Sequence, residues 1–354
     1  MKLCILGDVH LGVRNDSLIF HELYRRFYEE VFFPYLEEHN INTVIQLGDL
    51  FDRRKYINFQ TLKLSKEYFF DPLNKNRIQL HTLLGNHDVF FKNTLDVNST
   101  ELVLGEYENV FIHRSPTTIH FGGCSFDIIP WICDQNYESI KEYIKNSTSN
   151  YCFGHFELAG FEMDRGNICH EGQSADDLKR YELVFTGHFH HKSQRGNILY
   201  VGTPSEHTWS DYNDPRGFHV FDTETKELEF IENPFTIFRK FMYNDEDFFY
   251  NEVKAFDYSQ FKEKYVKVVV VKKTNEFVFE TFIQNLIKAC PADLSIIEDF
   301  VEQTNEETIS EVDQADDTIT ILSKYVDSIE IDLNKDRLKG ILREVYTEAL
   351  TVEV

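Results

Sequence analysis

The chain has 354 residues, with 32 Phe, 18 Tyr, 42% hydrophobic content and a formal net charge of −24. That length exceeds the usual size of one domain, and the acidity argues against a protein that coats nucleic acid through charge alone. No apolar run approaches the roughly 20 residues that span a bilayer, and MKLCILGDVH turns polar too early for a secretory signal.

The six cysteines show no C-x-x-C pair or framework spacing, so reduced thiols in a cytoplasm are expected. Residues 1–240 hold 24 basic and 35 acidic side chains, whereas 241–354 hold 12 and 25, so the last third is the more acidic for its length.

In chain order, one local event recurs. A short apolar run, read as a buried strand, ends in or near Gly, and a metal-capable side chain follows. LCILGDVH gives Asp8 and His10, and TVIQLGDLFD gives Asp49. TLLGNHDVFF gives Asn86 and His87, YCFGHFE gives His155, and LVFTGHFHH gives His188 and His190. Segments of helical character, Leu18 to Glu38 and Phe59 to Phe70, separate the early strands. This alternation predicts an α/β core, in which ligands gather beyond the carboxyl ends of strands. Loops distant in sequence then converge on one point.

The converging set holds Asp, Asn and His and no Cys, which is an O/N site for a divalent metal such as Mn, Fe, Zn or Mg. There are ligands enough for two metals if one carboxylate bridges. Two such ions form a clamp suited to phosphoryl chemistry. Asn86 offers a neutral carbonyl ligand, and His87 can face the phosphate as donor or acid.

The order D-x-H, G-D, G-N-H-D, G-H, G-H-x-H resembles the calcineurin-like metallophosphoesterase superfamily. GDVHLG (7–12), GDLFD (48–52), IPW (129–131), TGHFH (186–190), and VGTPSE with DPRGF (201–218) are similar to the SbcD-type nucleases of double-strand-break repair. Within these, they resemble in particular the recombination endonuclease subunits of T-even-like phages.

The resemblance implies an α/β fold: a metallophosphoesterase β-sandwich flanked by helices (α/β/β/α), with a small α+β capping domain and a C-terminal helical pair. It implies one metal on Asp8, His10, Asp49 and His190, and a second on Asp49, Asn86, His155 and His188. Mn is the preferred ion and Mg a possible one, with His87 assisting at the transition state. Archaeal and eukaryotic members of the resembled family carry His three residues after the bridging Asp, whereas this chain has Asp52, as the protein phosphatases of the superfamily do. Asp52 is expected either to accept a hydrogen bond from His87 or to cap the next helix.

Arg53, Arg54 and Lys55 follow the metal loop, and His191 and Lys192 follow the last ligands; all are candidate DNA contacts, with solvated turns as the alternative. His207, after GTPSE, is expected near the site. The nuclease domain is expected to cover 1–240, ending after HVFDTETKELEFIENP. A DNA-capping domain is expected over 241–301, with KYVKVVVV as strand, FVFETFIQNLIKAC as helix and LSIIEDFV as strand. Residues 302–317 are acidic and read as a linker.

In 318–354, Ile319, Leu322, Val326 and Ile329 fall on one helical face, and Leu338, Ile341, Leu342, Val345 and Tyr346 on that of a second helix. Two such helices suit docking on a partner, and the resemblance implies an SMC-like ABC ATPase with coiled coils. It also implies a homodimer within a heterotetramer, DNA as the substrate, no membrane, and the host cytoplasm if the chain is phage-encoded. The implied reaction is 3′-to-5′ exonuclease action on duplex ends and endonuclease action on single strands. Two rivals stand beside it: a phosphatase or small-molecule phosphodiesterase with the same metal site, and a non-catalytic scaffold subunit.

Overall fold

A computed structural model describes residues 1–164 and 167–298. The expected linker 302–317, the expected helix pair 318–354 with its five partner-facing residues, and the last residues of the expected capping segment lie outside the described residues. No described helix is long and apolar enough to cross a membrane.

The described residues divide into two units: Met1–His207 with Asn213–Thr236, and Thr208–Tyr212 with 237–298. In the first unit β1 (Lys2–Leu6), β2 (Thr43–Gln46), β3 (Gln79–Leu83) and β4 (Val110–His113) run parallel. A second sheet begins with β5 (Thr117–Phe121), β6 (Cys124–Ile129) and β7 (Tyr151–His155). The short pair β8 (Glu162–Asp164) and β9 (Asn167–Ile168) stands apart. β10 (Leu183–Gly187), β11 (Ser193–Arg195) and β12 (Ile198–Tyr200) complete the second sheet, in the order β11-β12-β10-β7-β6-β5. β13 (Gly217–Asp222) and β14 (Leu228–Glu232) return antiparallel to close the first sheet as β14-β13-β1-β2-β3-β4.

Leu3, Ile5, Ile45 and Leu83 from one sheet meet Phe126, Ile128, Phe153 and Phe185 from the other in a continuous buried core. Stacked rings make much of it, with Phe126 and Phe153 at 5.0 Å between centroids and 10° between planes. Packing of this kind is where the many Phe residues go.

Helices cover the outer faces. Leu18–Phe27 continues through a widened turn, Tyr28–Phe32, into Phe33–Glu38; Phe59–Ser65 does the same through Lys66–Phe70 into Asp71–Lys75. Both widened turns directly precede a segment with Pro at its second position, Pro34 and Pro72. A proline lacks the N–H for an ordinary helical bond and its ring meets the carbonyl four residues back. The N–H before each ring bonds five residues back instead, Phe33 to Tyr28 and Asp71 to Lys66. Helix Tyr137–Asn146 buries Ile140 and Ile144 against the far face of the second sheet. The layers are therefore helix, sheet, sheet, helix, as the motif order implied.

The second unit contains β15 (Phe238–Asn244), β16 (Tyr265–Lys272) and β17 (Asp293–Ile297), all parallel. Helix Glu276–Lys288 links the last two and buries Val278, Phe279, Phe282 and Leu286 in a common core with Val266, Val268 and Val270. The second and third strands and the helix lie where KYVKVVVV, LSIIEDFV and FVFETFIQNLIKAC predict them; β15 is not among the predicted elements and straddles the boundary drawn at residue 240.

Candidate metal centre

Each parallel strand of the sandwich delivers its next residues to the same end of the unit. Asp8 and His10 follow β1, Asp49 follows β2, Asn86 and His87 follow β3, His155 closes β7, and His188 and His190 follow β10. Three of these, His10, Asp49 and His188, have left-handed backbone with φ of 50°, 53° and 90°. Each such non-glycine residue costs about 1–3 kcal/mol and persists only where its surroundings over-determine it. The strain falls on the residues whose side chains converge.

Two glycines make the convergence possible. A Cβ on Gly85 would lie 2.2 Å from Asp49 Oδ1, and one on Gly187 would lie 2.3 Å from Asp8 Oδ1. Asp8, His10, Asp49 and His155 are buried, while His87 and His188 are half-buried and keep access to solvent.

Asp49 belongs to two groups whose potential ligand atoms lie within 4.8 Å of one another: His10–Asp49–His87 and Asp49–His155–His188. A third such group is His10–His190–His207, with His10 Nε2 and His190 Nε2 3.0 Å apart. Asn86 Oδ1 lies 3.0 Å from His155 Nε2 and 2.9 Å from His188 Nδ1. The Asp8 carboxylate accepts the backbone N–H of His188, at 2.9 Å to Oδ2.

The donor set fits a cation on physical grounds. His155 Nδ1 donates to the Leu47 carbonyl at 2.7 Å. Its Nε2 therefore presents a lone pair toward Asp49 Oδ2 at 3.4 Å and Asn86 Oδ1. Acceptors facing one another repel unless a proton or a metal sits among them. Without a metal, the proton takes that place. Burial alone lowers the His155 pKa, but the carboxylates of Asp49 and Asp8 outweigh it and push it up to about 9. Asp49 is held low: burial raises its carboxyl, and His155, His10 and His87 together overcome that. Burial and the neighbouring His155 push His188 down to about 3, leaving it neutral and ready to ligate. A metal seated among these groups would displace the His155 proton, so its affinity would rise with pH.

His87 is oriented by Asp52, through the main chain. His87 Nδ1 donates to the Asp52 carbonyl at 2.5 Å, and the His87 N–H donates to Asp49 Oδ1 at 2.7 Å. The expected partner was the Asp52 carboxylate. That group instead stands 3.5 Å from His10 Nδ1, and burial raises its pKa. Because a carbonyl only accepts, Nδ1 carries the proton of this bond, and Nε2 is the nitrogen not engaged by Asp52. Asp52 does not cap the following helix; Asn58 does, accepting from Gln60 N at 2.8 Å.

Asp88, the last letter of G-N-H-D, was passed over in the sequence reading. It is fully buried, and its oxygens accept the N–H groups of Asp49 at 2.8 Å, Leu50 at 3.0 Å and Gly85 at 2.9 Å. One side chain thus fixes the loops after β2 and β3. Trp131 of the IPW motif was also not assigned a role; its ring lies 5.2 Å from His188 and 5.8 Å from His155 between centroids.

The expected DNA contacts fare unevenly. Arg53 bonds Tyr56 Oη and Asn15 and pairs with Asp16 at 3.1 Å. Arg54 Nε donates to the Asn86 carbonyl at 2.7 Å, so it supports the ligand loop. Lys55 is exposed. His191 bonds Asp214 at 2.8 Å, and Lys192 packs over the Phe230 ring at 3.3 Å.

The calcineurin-like phosphoesterase family matches residues 1–192. Exonuclease subunit 1 of Enterobacteria phage T4 is 35% identical over 352 residues, which is 99% of each chain. The SbcD component of the nuclease SbcCD from Staphylococcus epidermidis is 23% identical over 261 residues, covering 64% of this chain and 67% of that one. Among solved structures, the calcineurin-like phosphoesterase YfkN from Bacillus subtilis aligns over 66% of this chain and 88% of its own, at 12% identity and a TM-score of 0.31.

Proposed function

Because the chain belongs to the calcineurin-like phosphoesterase family, we propose that it is the metal-dependent nuclease subunit of a recombination or repair complex, hydrolysing DNA phosphodiester bonds. The observation that carries this reading is the sharing of Asp49 between two ligand groups at the ends of parallel strands. Two divalent ions, Mn by preference, would be held there, one by Asp8, His10, Asp49 and His190, the other by Asp49, Asn86, His155 and His188. When bound, they supply Lewis acidity and activate water for attack on phosphorus.

The chain's own groups do the rest. Asp88 and Leu47 fix the ligands in place. His87, with Nδ1–H committed to the Asp52 carbonyl, presents Nε2 to the reacting phosphate; as the doubly protonated imidazolium it gives the Nε2 proton to the departing oxygen and is left a neutral ring. Asp52 acts through its carbonyl in aiming His87. Lys55 contacts the DNA backbone.

The relatives are named as subunits, which supports action within a complex. The motif resemblance extends this to an SMC-like ABC ATPase partner bound by residues 318–354, a homodimer within a heterotetramer, a DNA-capping role for 241–301, and both exonuclease and single-strand endonuclease action.

The test is hydrolysis of duplex and single-stranded DNA by the full chain with added Mn, with and without the ATPase partner, alongside an aryl phosphate. Asp49→Asn is expected to lower DNA cleavage on the order of 10³-fold, the size of losing one strong transition-state stabiliser. Cleavage of aryl phosphate but no DNA would leave a phosphatase; full DNA cleavage by Asp49→Asn would remove the metal reading.

A further inference from the structure

The two loops that flank His87 carry an unusual set of exposed rings. After Asp52 come Tyr56, 58% exposed, and Phe59, 89% exposed. After Asp88 come Phe90, 39% exposed, and Phe91, 49% exposed. Single exposed apolar side chains are ordinary on any protein surface. Here three aromatic rings fall on just two loops and a fourth, Phe59, opens the helix that follows the first of them; the loops are joined at the candidate site: His87 bonds the Asp52 carbonyl and Arg54 bonds the Asn86 carbonyl.

The rings are held rather than loose. The Arg53 guanidinium lies 4.8 Å from the Tyr56 ring centroid and bonds its hydroxyl. Phe90 and Phe91 contact edge to face at 4.7 Å, and the Phe90 N–H donates to the Val97 carbonyl at 2.9 Å. Phe59 opens a helix whose preceding Asn58 caps it. Exposed Lys55 and Lys92 lie among them in the sequence. Fixed aromatic faces interleaved with cations are what an unpaired polynucleotide recognises. The rings stack on bases, the cations meet phosphates, and neither reads sequence.

We infer that Phe90 and Phe91, with Tyr56 and Phe59, form a base-stacking platform beside the metal centre, which grips unpaired nucleotides next to the phosphate to be cut. The inference rests on the nuclease reading above. It adds the residues that favour bases free to stack over bases locked in a duplex. A paired base keeps both faces covered by its neighbours, so it gains nothing from the platform until the end of the duplex opens.

The experiment measures binding of the full, metal-loaded chain to two single strands with the same phosphate backbone, a thymidine oligomer and one with abasic central positions. The unmodified chain is expected to favour the base-bearing strand. Phe91→Ala and Phe90→Ala are each expected to weaken that preference about 5- to 150-fold, the range for losing one stacked base, while Phe91→Trp retains it. The metal-induced rise in Tm, measured on each variant, shows that the ligand loops are intact. A preference unchanged in both alanine variants, or an unmodified chain that binds the two strands equally, overturns the platform. If the unmodified chain cleaves DNA yet shows no such preference, only this inference falls. If it cleaves an aryl phosphate but no DNA, the nuclease reading falls with it.

Discussion

Asp88 in the first unit and Asp245 in the second stand beyond the end of a parallel strand, and each carboxylate ties down the loop that follows the neighbouring strand. Asp88, after β3, collects the N–H groups of Asp49 and Leu50 after β2. Asp245, after β15, collects those of Thr274 and Asn275 after β16, at 2.7 Å each, and the Thr274 hydroxyl. The mechanical task is the same, but the electrostatics are opposite. Burial raises the Asp245 carboxyl, and the N–H groups of Asn275 and Thr274 outweigh it, so its pKa falls. Burial raises Asp88 too, the Asp49 charge adds to it, and the result is about 7. In the second unit the tied loop starts a helix capped by Asn275. In the first it carries a ligand. Topology therefore supplies a place for a site, while chemistry requires two layers: one that holds backbone and one left over to bind.

The largest effect expected from this contrast is at Asp88. In Asp88→Asn an amide N–H faces backbone N–H groups, and the β2 and β3 loops lose their shared anchor. Metal affinity is expected to fall about 10- to 100-fold, as read by calorimetric Mn titration; affinity within twofold of the unmodified chain would contradict it. Asp245→Asn is expected to cost the second unit about 1–3 kcal/mol, visible as faster hydrogen exchange along β16, with metal affinity in the first unit unaffected. Loss of metal binding there would erase the distinction between the two aspartates.

The smallest effect concerns histidines on the strands themselves. His81 and His113 pair at 3.0 Å with rings 5.3 Å apart, and burial pushes both pKa values down to about 4, with His113 adding to the effect at His81. Their unfolded pKa is about 6.5. Between those values the unfolded chain binds more protons, so stability is full above about pH 6.5 and declines as pH falls toward 4. The urea midpoint is expected to drop from pH 7 to pH 5, and His81→Phe to flatten that slope. A midpoint constant over this range would show that the pair is not held neutral.

The sequence made the strand ends legible because a parallel strand announces itself: an apolar run, a glycine, then a side chain with nothing to do in a core. The positions of Asp49, Asn86, His155 and His188 followed from that alone. What stayed hidden depends on where side chains turn after the glycine. Asp88 sits in the same four letters as His87, but its inward course is set by the bend at Gly85, and no periodicity records it. The Asp52 carboxylate and carbonyl are the same letter, so the sequence could not say which one meets His87. His207 was not hidden: expected near the site from its place after GTPSE, it reaches the His10–His190 pair from a loop with no strand immediately before it. Arg53 and Arg54 read as cations for a ligand, and the fold uses them internally.

Gly85 and Gly187 bring main chain to within a methyl group's width of two aspartates, and this limits how the protein can change. Main chain at these two points cannot be remodelled by exchanging side chains without moving Asp8 or Asp49. New specificities, whether selected in nature or engineered, must come from the flanking segments. A library aimed at residues 53–59 and 89–92 should yield altered substrate preference, and one aimed at Gly85 and Gly187 should yield mostly inactive chains.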